Sequence, residues 1–260
     1  MEPGSVRNET SARHARVISL IESGVTQVGD IAETLQVSPS TIRRDLTHLT
    51  RSGRLTRTYG GAVIQSGFLE RSIDDSAAIR FHAKKAIAVA AAEFVDDDQV
   101  IFIDAGTTCA GMGTQLHGKH NLTVMTRGLE TARTLVSMPG VTVMMLGGTL
   151  LRMSHGIVGP LTQLALERMR FDIAFLGADA VDPVSGLGEP TLEETLVKEQ
   201  VAAVSTEVFV LADSTKISGT YPPVWTALDD PWRLITDSDI SASVLSQFRS
   251  TGIEVVVAPY

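Results

Sequence analysis

Residues 38–49 read Ser-Pro-Ser-Thr-Ile-Arg-Arg-Asp-Leu-Thr-His-Leu and predict the third helix of a helix-turn-helix domain. Ser38 suits the N-cap of this helix, and Pro39 suits its first position, where a missing N–H costs nothing. With about 100° between successive residues, the apolar side chains share one face and the polar and basic ones share the other. The apolar side chains are Ile42, Leu46 and Leu49. We therefore expect one face to pack and the other to meet an anionic partner.

Two short helices are predicted before this stretch, and a β-hairpin is predicted after it. Apolar residues recur at helical spacing over residues 17–21 and again over residues 28–35. Gly60 and Gly61 then separate two short runs of strand-forming residues, as the turn of a hairpin would. Three helices and a hairpin make a winged helix-turn-helix domain, which we place at residues 1–65.

The net charge of the chain hides a basic patch. The whole sequence carries −8, but residues 1–66 carry +2, with eight arginines, no lysine and six acidic residues. Residues 67–260 carry −10, with fourteen basic and twenty-four acidic residues. Residues 38–57 contain five arginines and one acidic residue. A local basic excess on an acidic protein favours a nucleic-acid contact at that place.

The polar face of the third helix and the hairpin supply the candidate contacts to double-stranded operator DNA. We expect Arg44 to read a base edge, whereas the arginines nearer the hairpin contact phosphates. A solvated face that happens to carry arginine is the alternative, but the cap, the short turn, the basic face and the hairpin all agree with DNA binding. The predicted contacts are Ser38, Ser40, Thr41, Arg43, Arg44, Thr47, His48, Arg51, Arg54 and Arg57.

The rest of the chain alternates apolar runs with helical patterns. We interpret residues 66–83, where the pattern weakens, as a linker and residues 84–260 as a second, larger domain. Alternation of strand and helix at this spacing predicts a mostly parallel, Rossmann-like α/β sheet. The predicted strands are 100–103, 122–125, 141–146, 173–176, 208–211 and 255–257.

Residues that suit a phosphate follow the first of these strands. Asp104-Ala-Gly-Thr-Thr108 opens a helix and offers a glycine, two hydroxyls and free N–H groups, a combination that fits a phosphate. A capped turn without a ligand is the alternative. Ligands of open α/β sheets bind beyond the carboxyl ends of the strands, and glycine or polar residues follow the other strands as well. The absence of a GxxxxGK[ST] loop, and of GxGxxG after a strand, disfavours a nucleoside triphosphate or a dinucleotide.

Together these motifs resemble the DeoR family of transcriptional repressors. The N-terminal signature is residues 37–46, Val-Ser-Pro-Ser-Thr-Ile-Arg-Arg-Asp-Leu, followed by Gly53 and Gly60-Gly61-Ala62. The C-terminal resemblance is carried by residues 104–108, 147–148, 175–179, 186–187, 212–216 and Glu194 with Lys198. It covers about residues 13–258 and implies a second domain similar in fold to ribose-5-phosphate isomerase. Tyr59 stands where the family usually has His, and Arg127 stands where it usually has Asn.

The resemblance implies a repressor of a sugar-metabolism operon whose affinity for DNA responds to a phosphorylated sugar. It places the phosphate at Gly106, Thr107 and Thr108, with the sugar near acidic and lysine side chains. Glu194 and Lys198 could instead be an ordinary surface pair of one helix. The expected effector-binding residues are Asp104, Gly106, Thr107, Thr108, Thr126, Arg127, Gly147, Gly148, Gly177, Asp179, Glu194, Lys198 and Lys216.

The alternative function is an active sugar-phosphate isomerase with an appended DNA-binding module. Such an enzyme needs a carboxylate base and an electrophile such as lysine, which Asp179, Asp182, Glu194 and Lys198 could nominally supply. The glycine-rich segment that precedes the catalytic lysine in the isomerases is not present, and Gly186-Leu-Gly-Glu-Pro190 stands in its place. We therefore expect binding without catalysis.

Composition narrows the location and the chemistry further. The single cysteine, Cys109, excludes an internal disulfide framework, and the polar start lacks the pattern of a secretory signal. No stretch approaches the roughly 18 apolar residues of a membrane helix. We expect a cytoplasmic protein with no cofactor, metal or membrane contact. It should act as a homo-oligomer, because a DNA-binding module of this size reads a short half-site.

Overall fold

The computed structural model describes residues 13–14, 16–21, 23–51, 55–58, 61–64, 68, 70–217, 222–228 and 231–260. The chain divides into two compact units, Met1–Leu69 and Glu70–Tyr260. The helix-turn-helix signature lies in the first unit, and the strand ends that the sequence predicts to bind a phosphate lie in the second.

The first unit is a winged helix-turn-helix, as the sequence predicts. Its helices are α1 (helical at residues 13–14 and 16–21), α2 (Val28–Leu35) and α3 (Pro39–Arg51). Strands β1 (Leu55–Thr58) and β2 (Gly61–Ile64) pair antiparallel to form the wing. The predicted apolar face of α3 is buried in the core of this unit through Ile42, Leu46 and Leu49.

Two contacts explain why this small unit holds its shape. A Cβ on Gly61 would lie 2.0 Å from the carbonyl oxygen of Thr26, so only glycine lets β2 approach the turn before α2. The neighbouring Ala62 N–H donates to that same carbonyl at 3.1 Å. Asp45, which is nearly buried, accepts hydrogen bonds from Arg13 Nε at 2.7 Å and from Arg13 Nη2 at 3.1 Å, and its Oδ1 lies 3.1 Å from His14 Nε2. These contacts join α1 to α3.

The second unit is built on a seven-stranded parallel sheet with the order β14-β13-β11-β8-β3-β4-β5. Its strands are β3 (Val100–Ile103), β4 (Leu122–Thr126), β5 (Val141–Met145), β6 (Thr149–Leu150), β7 (Ile157–Val158), β8 (Phe171–Gly177), β9 (Ala180–Asp182), β10 (Gly186–Glu189), β11 (Ser205–Leu211), β12 (Val224–Thr226), β13 (Trp232–Asp237) and β14 (Glu254–Ala258). Its helices are α4 (Ile73–Ala78), α5 (Phe81–Ala92), α6 (Thr107–Gly113), α7 (Leu129–Leu135), α8 (Pro160–Leu166), α9 (Leu192–Ala203) and α10 (Ala242–Ser250).

Both faces of the large sheet are covered, which explains the continuous apolar runs of its strands. Phe102 and Leu176 belong to the core on one face, whereas Ile103, Phe175 and Phe209 belong to the core on the other. The sequence therefore predicts the class of this sheet correctly. Among the described helices, none is long and apolar enough to cross a membrane.

The structure differs from the sequence-based expectation in the short strands β6, β7, β9, β10 and β12, in β13 and α10, and in the segment 66–83. Strand β13 and helix α10 were not predicted; polar Arg233, Thr236 and Asp237 interrupt the apolar run of β13. The segment read as a linker over 66–83 carries α4 and the start of α5, and from Glu70 onward it belongs to the second unit. Ser72 caps α4 by accepting from the Asp75 N–H at 3.2 Å.

Candidate functional site

A pocket lies at the carboxyl ends of β3, β8 and β11, where an open α/β sheet binds ligands. The loops after these strands contribute Ala105–Cys109, Gly177–Asp179 and Leu211–Asp213 with Lys216. The pocket is completed by Glu70, Arg71, Ile73, Ser76, Lys84, Arg127, Met153, Ser154, Glu189, Glu194 and Lys198.

A buried ionic network centred on Asp104 supports this pocket. Asp104 Oδ1 accepts from Arg127 Nε at 2.5 Å, and its Oδ2 accepts from Lys198 Nζ at 2.6 Å. The backbone N–H groups of Ala105 and Gly177 also donate to this carboxylate, at 2.7 and 3.1 Å. The charged side chains of Asp104, Arg127 and Lys198 are nearly inaccessible to solvent. The carboxylate thus joins the ends of β3, β4 and β8 to helix α9.

The network keeps its members charged. Burial by itself raises the pKa of Asp104, but Arg127 and Lys198 more than offset this effect and lower it to about 2. Burial opposes the charge of Arg127 and Lys198 as well, and the negative charge of Asp104 raises the pKa of both above the usual range. A buried ion pair with several hydrogen bonds resists the loss of either partner.

One end of the Arg127 guanidinium is bound to Asp104, and the residue also lines the pocket. The sequence places Arg127 among the expected effector-binding residues, and in the structure its Nε is committed to Asp104. Arg127 still lines the pocket, and its buried Nη1 has no hydrogen-bond partner among the described residues, with Glu194 Oε1 at 3.7 Å. A Cβ on Gly156 would lie 2.5 Å from this Nη1, so a larger residue there would displace the guanidinium.

The predicted phosphate loop lines the pocket. Gly106 has a φ of 104°, a left-handed value that favours glycine, and it precedes the first residue of α6, Thr107. Thr107 and Thr108 both line the pocket. The buried Cys109 follows them, and burial raises its thiol pKa, so this side chain stays protonated.

Helix α9 turns two of its polar side chains inward. Glu194 and Lys198 are each 1% exposed, so they are not a surface pair. The carboxylate of Glu194 accepts from the hydroxyls of Ser154 and Thr191, both at 3.0 Å. Lys198 also donates to the Gly177 carbonyl at 2.7 Å and lies 3.1 Å from Glu189. Both side chains are therefore fixed before any ligand arrives.

The loop after β11 forms another wall of the pocket. Lys216 Nζ donates to Asp179 Oδ1 at 2.6 Å, and this pair is partly exposed. Arg80 fixes the position of this loop, because it donates to Ser214 at 3.2 Å and to Asp237 at 2.6 Å. The Ser214 N–H also donates to Asp237 at 2.7 Å. The wall is thus attached to the end of β13.

Four predicted effector residues do not line the pocket: Asp104, which lies beneath it, and Thr126, Gly147 and Gly148. The buried Thr126 hydroxyl accepts from the Gly128 N–H at 3.0 Å, which shapes the turn before α7. The Gly147 carbonyl accepts from Thr162 at 2.8 Å. A Cβ on Gly148 would lie 2.3 Å from the Val158 carbonyl oxygen. Thr126, Gly147 and Gly148 shape the neighbouring turns, whereas the other predicted residues line the pocket or, like Asp104, lie beneath it.

Sequence reasoning missed several titratable residues of the pocket. Burial and the charges of Glu194 and Asp179 raise the pKa of Glu70 to about 7. Burial raises the pKa of Glu189 to about 8, and burial lowers that of Lys84 to about 8. Glu70 and Lys84 fall in or beside the segment read as a linker. Lys84 follows Ala83 in an alanine-rich helix. A lysine on the inner face of such a helix is the signal that could have revealed this residue.

The first unit exposes the predicted recognition surface. Arg43, Arg44, Thr47 and His48 border a shallow cleft on α3, and both arginines are exposed. Ser38 accepts from the Thr41 N–H at 3.2 Å, as an N-cap does. The hydroxyls of Ser40 and Thr41 each lie 2.8 Å from that of Ser38. Arg54 and the side chains of Arg51 and Arg57 lie outside the described residues.

No group of three or more His, Cys, Asp or Glu side chains that could hold a metal ion occurs in the described part of the chain.

Each of the two units matches a family model of known proteins. The model of the DeoR-like helix-turn-helix domain matches residues 13–67, and that of the DeoR C terminal sensor domain matches residues 80–238. The HTH-type transcriptional regulator GolR of Listeria innocua is 31% identical over 248 residues, covering 95% of this chain and 98% of that protein. The glycerol-3-phosphate regulon repressor of Escherichia coli is 30% identical, covering 78% and 81%.

Solved structures of other proteins share part of the fold at lower similarity. A D-ribose-5-phosphate isomerase in complex with phospho-erythronic acid is 19% identical, covers 52% of each chain and has a TM-score of 0.39. This likeness is too weak to carry an argument about chemistry.

Proposed function

The chain belongs to the DeoR family of transcriptional regulators, and from this premise we propose that it represses a sugar-metabolism operon under the control of a phosphorylated sugar. The first unit binds operator DNA, and the pocket of the second unit binds the effector. The single observation that carries the effector assignment is the pocket at the strand ends, where two threonine hydroxyls and several cations converge.

DNA binding rests on the polar face of α3. Arg43 and Arg44 are exposed there, next to Thr47 and His48, while the opposite face is buried. A recognition helix places such side chains in the major groove, where arginine pairs with guanine and other cations contact phosphates. We propose that the ten residues named from the sequence form this interface.

The charges around the pocket favour a ligand with an anionic end and a hydroxyl-rich end. Lys84, Arg127, Lys198 and Lys216 supply positive charge, and Thr107 with Thr108 supplies hydroxyls at the start of α6. The carboxyl groups of Asp179, Glu189, Glu194 and Asp213 line the same space. A phosphate suits the first set, and sugar hydroxyls, which donate to carboxylates, suit the second.

The relatives and the size of the DNA-binding unit support the remaining parts of the proposal. The glycerol-3-phosphate regulon repressor is named for a phosphorylated small molecule. A single winged helix reads only a short half-site, so we propose a homo-oligomer that binds repeated or palindromic sites in the cytoplasm.

The isomerase alternative is not favoured. The family consists of regulators, and the lysine that an isomerase would need is committed elsewhere. Lys198 Nζ donates to Asp104 at 2.6 Å and to the Gly177 carbonyl at 2.7 Å. The buried carboxylate of Asp104 raises the pKa of the Lys198 ammonium. An ammonium with a raised pKa is a poor mobile proton carrier.

An operator-binding assay tests the proposal. A duplex selected from a random DNA pool by the full-length protein is titrated with protein in the presence of phosphorylated sugars or their unphosphorylated parents. We expect one phosphorylated sugar to change operator affinity by about 5–150-fold, whereas its parent does not. If no phosphorylated sugar alters operator binding, the effector assignment is wrong; if no duplex is selected, the DNA-binding assignment is wrong.

A further inference from the structure

Lys84 is a buried lysine whose side chain reaches both the pocket and helix α4. It is 9% exposed and lies near the start of α5. Its Nζ donates to the backbone carbonyl of Ser76 at 2.6 Å. Lys84 and Thr107 line the same pocket, so Lys84 borders the space in which we propose that the phosphate binds.

Three of the other four cations that line the pocket have carboxylate partners, and the fourth, Arg71, is exposed. Arg127 and Lys198 share Asp104, and Lys216 pairs with Asp179. None of the ion pairs among the described residues includes Lys84, and its hydrogen bond to Ser76 goes to a neutral carbonyl. Burial disfavours its charge and lowers its pKa to about 8, although the negative charge of Asp213 acts in the opposite direction. An incoming anion would gain more from Lys84 than from a cation that is already neutralised.

The partner of Lys84 lies in the helix that follows the DNA-binding unit along the chain. Helix α4 begins three residues after Glu70, where the second unit starts. Glu70, Arg71, Ile73 and Ser76 all line the pocket. The Ile73 N–H also donates to the Met153 carbonyl at 2.8 Å, which ties the start of α4 to a loop of the second unit. A ligand in the pocket therefore meets α4 directly.

We propose that Lys84 binds the anionic group of the effector while it keeps its hydrogen bond to Ser76, so that the lysine bridges the ligand to α4. An ammonium has three N–H donors, and the bond to Ser76 uses one of them. Two donors remain for an anion, and the bound anion holds the ammonium in its charged form. Occupation of the pocket thereby stabilises the last turn of α4. This inference rests on the proposed function and identifies the residue that carries its signal toward the DNA-binding unit.

Lys85 offers a matched control on the same helix. It is exposed, and it carries the same charge one residue further along α5. The first experiment measures binding of inorganic phosphate to the full-length protein by calorimetry at pH 7. We expect K84M to weaken phosphate binding by about ten-fold or more, because a charge-assisted hydrogen bond is lost, and K85M to stay within two-fold of the parent.

The second experiment measures deuterium exchange of the amides of residues 73–80 in the same proteins. In the parent protein, phosphate should slow exchange in the last turn of α4, and in K84M it should not. The measurement on the parent alone tests the bridge should K84M fail to fold. Faster or unchanged exchange in the parent with phosphate bound, or unchanged phosphate affinity of a folded K84M, overturns the inference.

The two proposals fail in different ways. If phosphorylated sugars still shift operator binding of K84M as they do that of the parent, the effector assignment stands and the role of Lys84 is wrong. If neither inorganic phosphate nor any phosphorylated sugar binds the parent protein, both are wrong.

Discussion

Arg127 Nε donates to Asp104 Oδ1 at 2.5 Å, and both side chains are buried beneath the pocket. The same carboxylate also holds Lys198 at 2.6 Å. One negative charge thus fixes two cations that come from different elements, a strand end and helix α9. Removal of either cation leaves Asp104 partly unpaired in a site that water does not reach.

Arg127→Asn should therefore destabilise the second unit. We expect a loss of about 3 kcal/mol in the free energy of unfolding, because removing one partner of a buried pair typically costs 3–5 kcal/mol and Lys198 still compensates part of the charge. Urea denaturation followed by circular dichroism measures the loss. Arg133→Asn, at an exposed position of α7, is the control and should change stability by less than about 0.5 kcal/mol. An Arg127→Asn protein as stable as the control would contradict the network.

Asp104→Asn should be the more damaging change. The substitution leaves Arg127 and Lys198 as two buried cations without their shared carboxylate, whereas Arg127→Asn leaves a single anion with one cation. Denaturation of both variants under the same conditions gives the order of their stabilities. The reverse order would mean that Asp104 is not the centre of the network.

The sequence predicted that Thr107 and Thr108 lie at the ligand-binding edge of the sheet, but it did not predict the network beneath them. Thr107 and Thr108 were accessible to prediction because the loop directly follows an apolar strand, and parallel strands bring their carboxyl ends to one edge. The bond between Asp104 and Arg127 was not accessible to prediction. Two strand-end residues 23 positions apart can both face a ligand, or they can face each other. The pattern of residue types is the same in both cases.

Lys84 and Glu70 were missed for a different reason. Both precede the first strand of the sheet, in a segment with weak periodicity that was interpreted as a linker. Helix α4 has six residues, too few to show a helical repeat, and its place against the pocket depends on contacts such as Ile73 N–H to Met153 O. Long-range contacts of this kind are not encoded in local spacing.

The threonine hydroxyls at the start of α6 should be needed for the effector but not for DNA. Thr107→Val with Thr108→Val removes two hydroxyls from the pocket, so we expect the response of operator binding to the phosphorylated sugar to be lost while affinity for DNA alone persists. Fluorescence anisotropy with a labelled operator measures both quantities. Thr114→Val, at the exposed C-cap of the same helix, should respond like the parent protein. A double variant that responds with unchanged effector affinity would place the phosphate elsewhere.

Effector affinity should fall as pH rises from 6.5 to 8.5. Glu70 and Glu189 have pKa values raised to about 7 and about 8, so each gains a negative charge over this range. Lys84, with its pKa lowered to about 8, loses a positive charge over the same range. All three changes disfavour an anion, and a phosphate monoester is already largely dianionic above about pH 6.

Calorimetry at pH 6.5, 7.5 and 8.5 measures this dependence. We expect a decrease of roughly ten-fold or more, since a pKa difference of one unit corresponds to a ten-fold change in an equilibrium constant. Glu189→Gln removes one of the titrating groups and should flatten the dependence. Affinity that is constant, or that rises with pH, would contradict an anionic ligand next to these groups.

Helix α3 is expected to read a DNA base through Arg44. Arg44 is exposed on the polar face of α3, so Arg44→Ala should cost roughly 1–3 kcal/mol of operator binding and relax discrimination at one base position. Arg57→Ala, in strand β1 of the wing, should instead weaken binding to all sequences alike and lower the slope of log affinity against log salt by about one. Arg249→Ala, in the last turn of α10 of the other unit, is the control and should leave DNA binding unchanged.

Anisotropy titrations against the operator, single-base variants of it and an unrelated duplex, each at several salt concentrations, separate the two effects. Because a base contact acts on one position and a phosphate contact acts on every sequence, an Arg44→Ala protein that binds all of these duplexes as the parent does would show that α3 is not the helix that reads DNA.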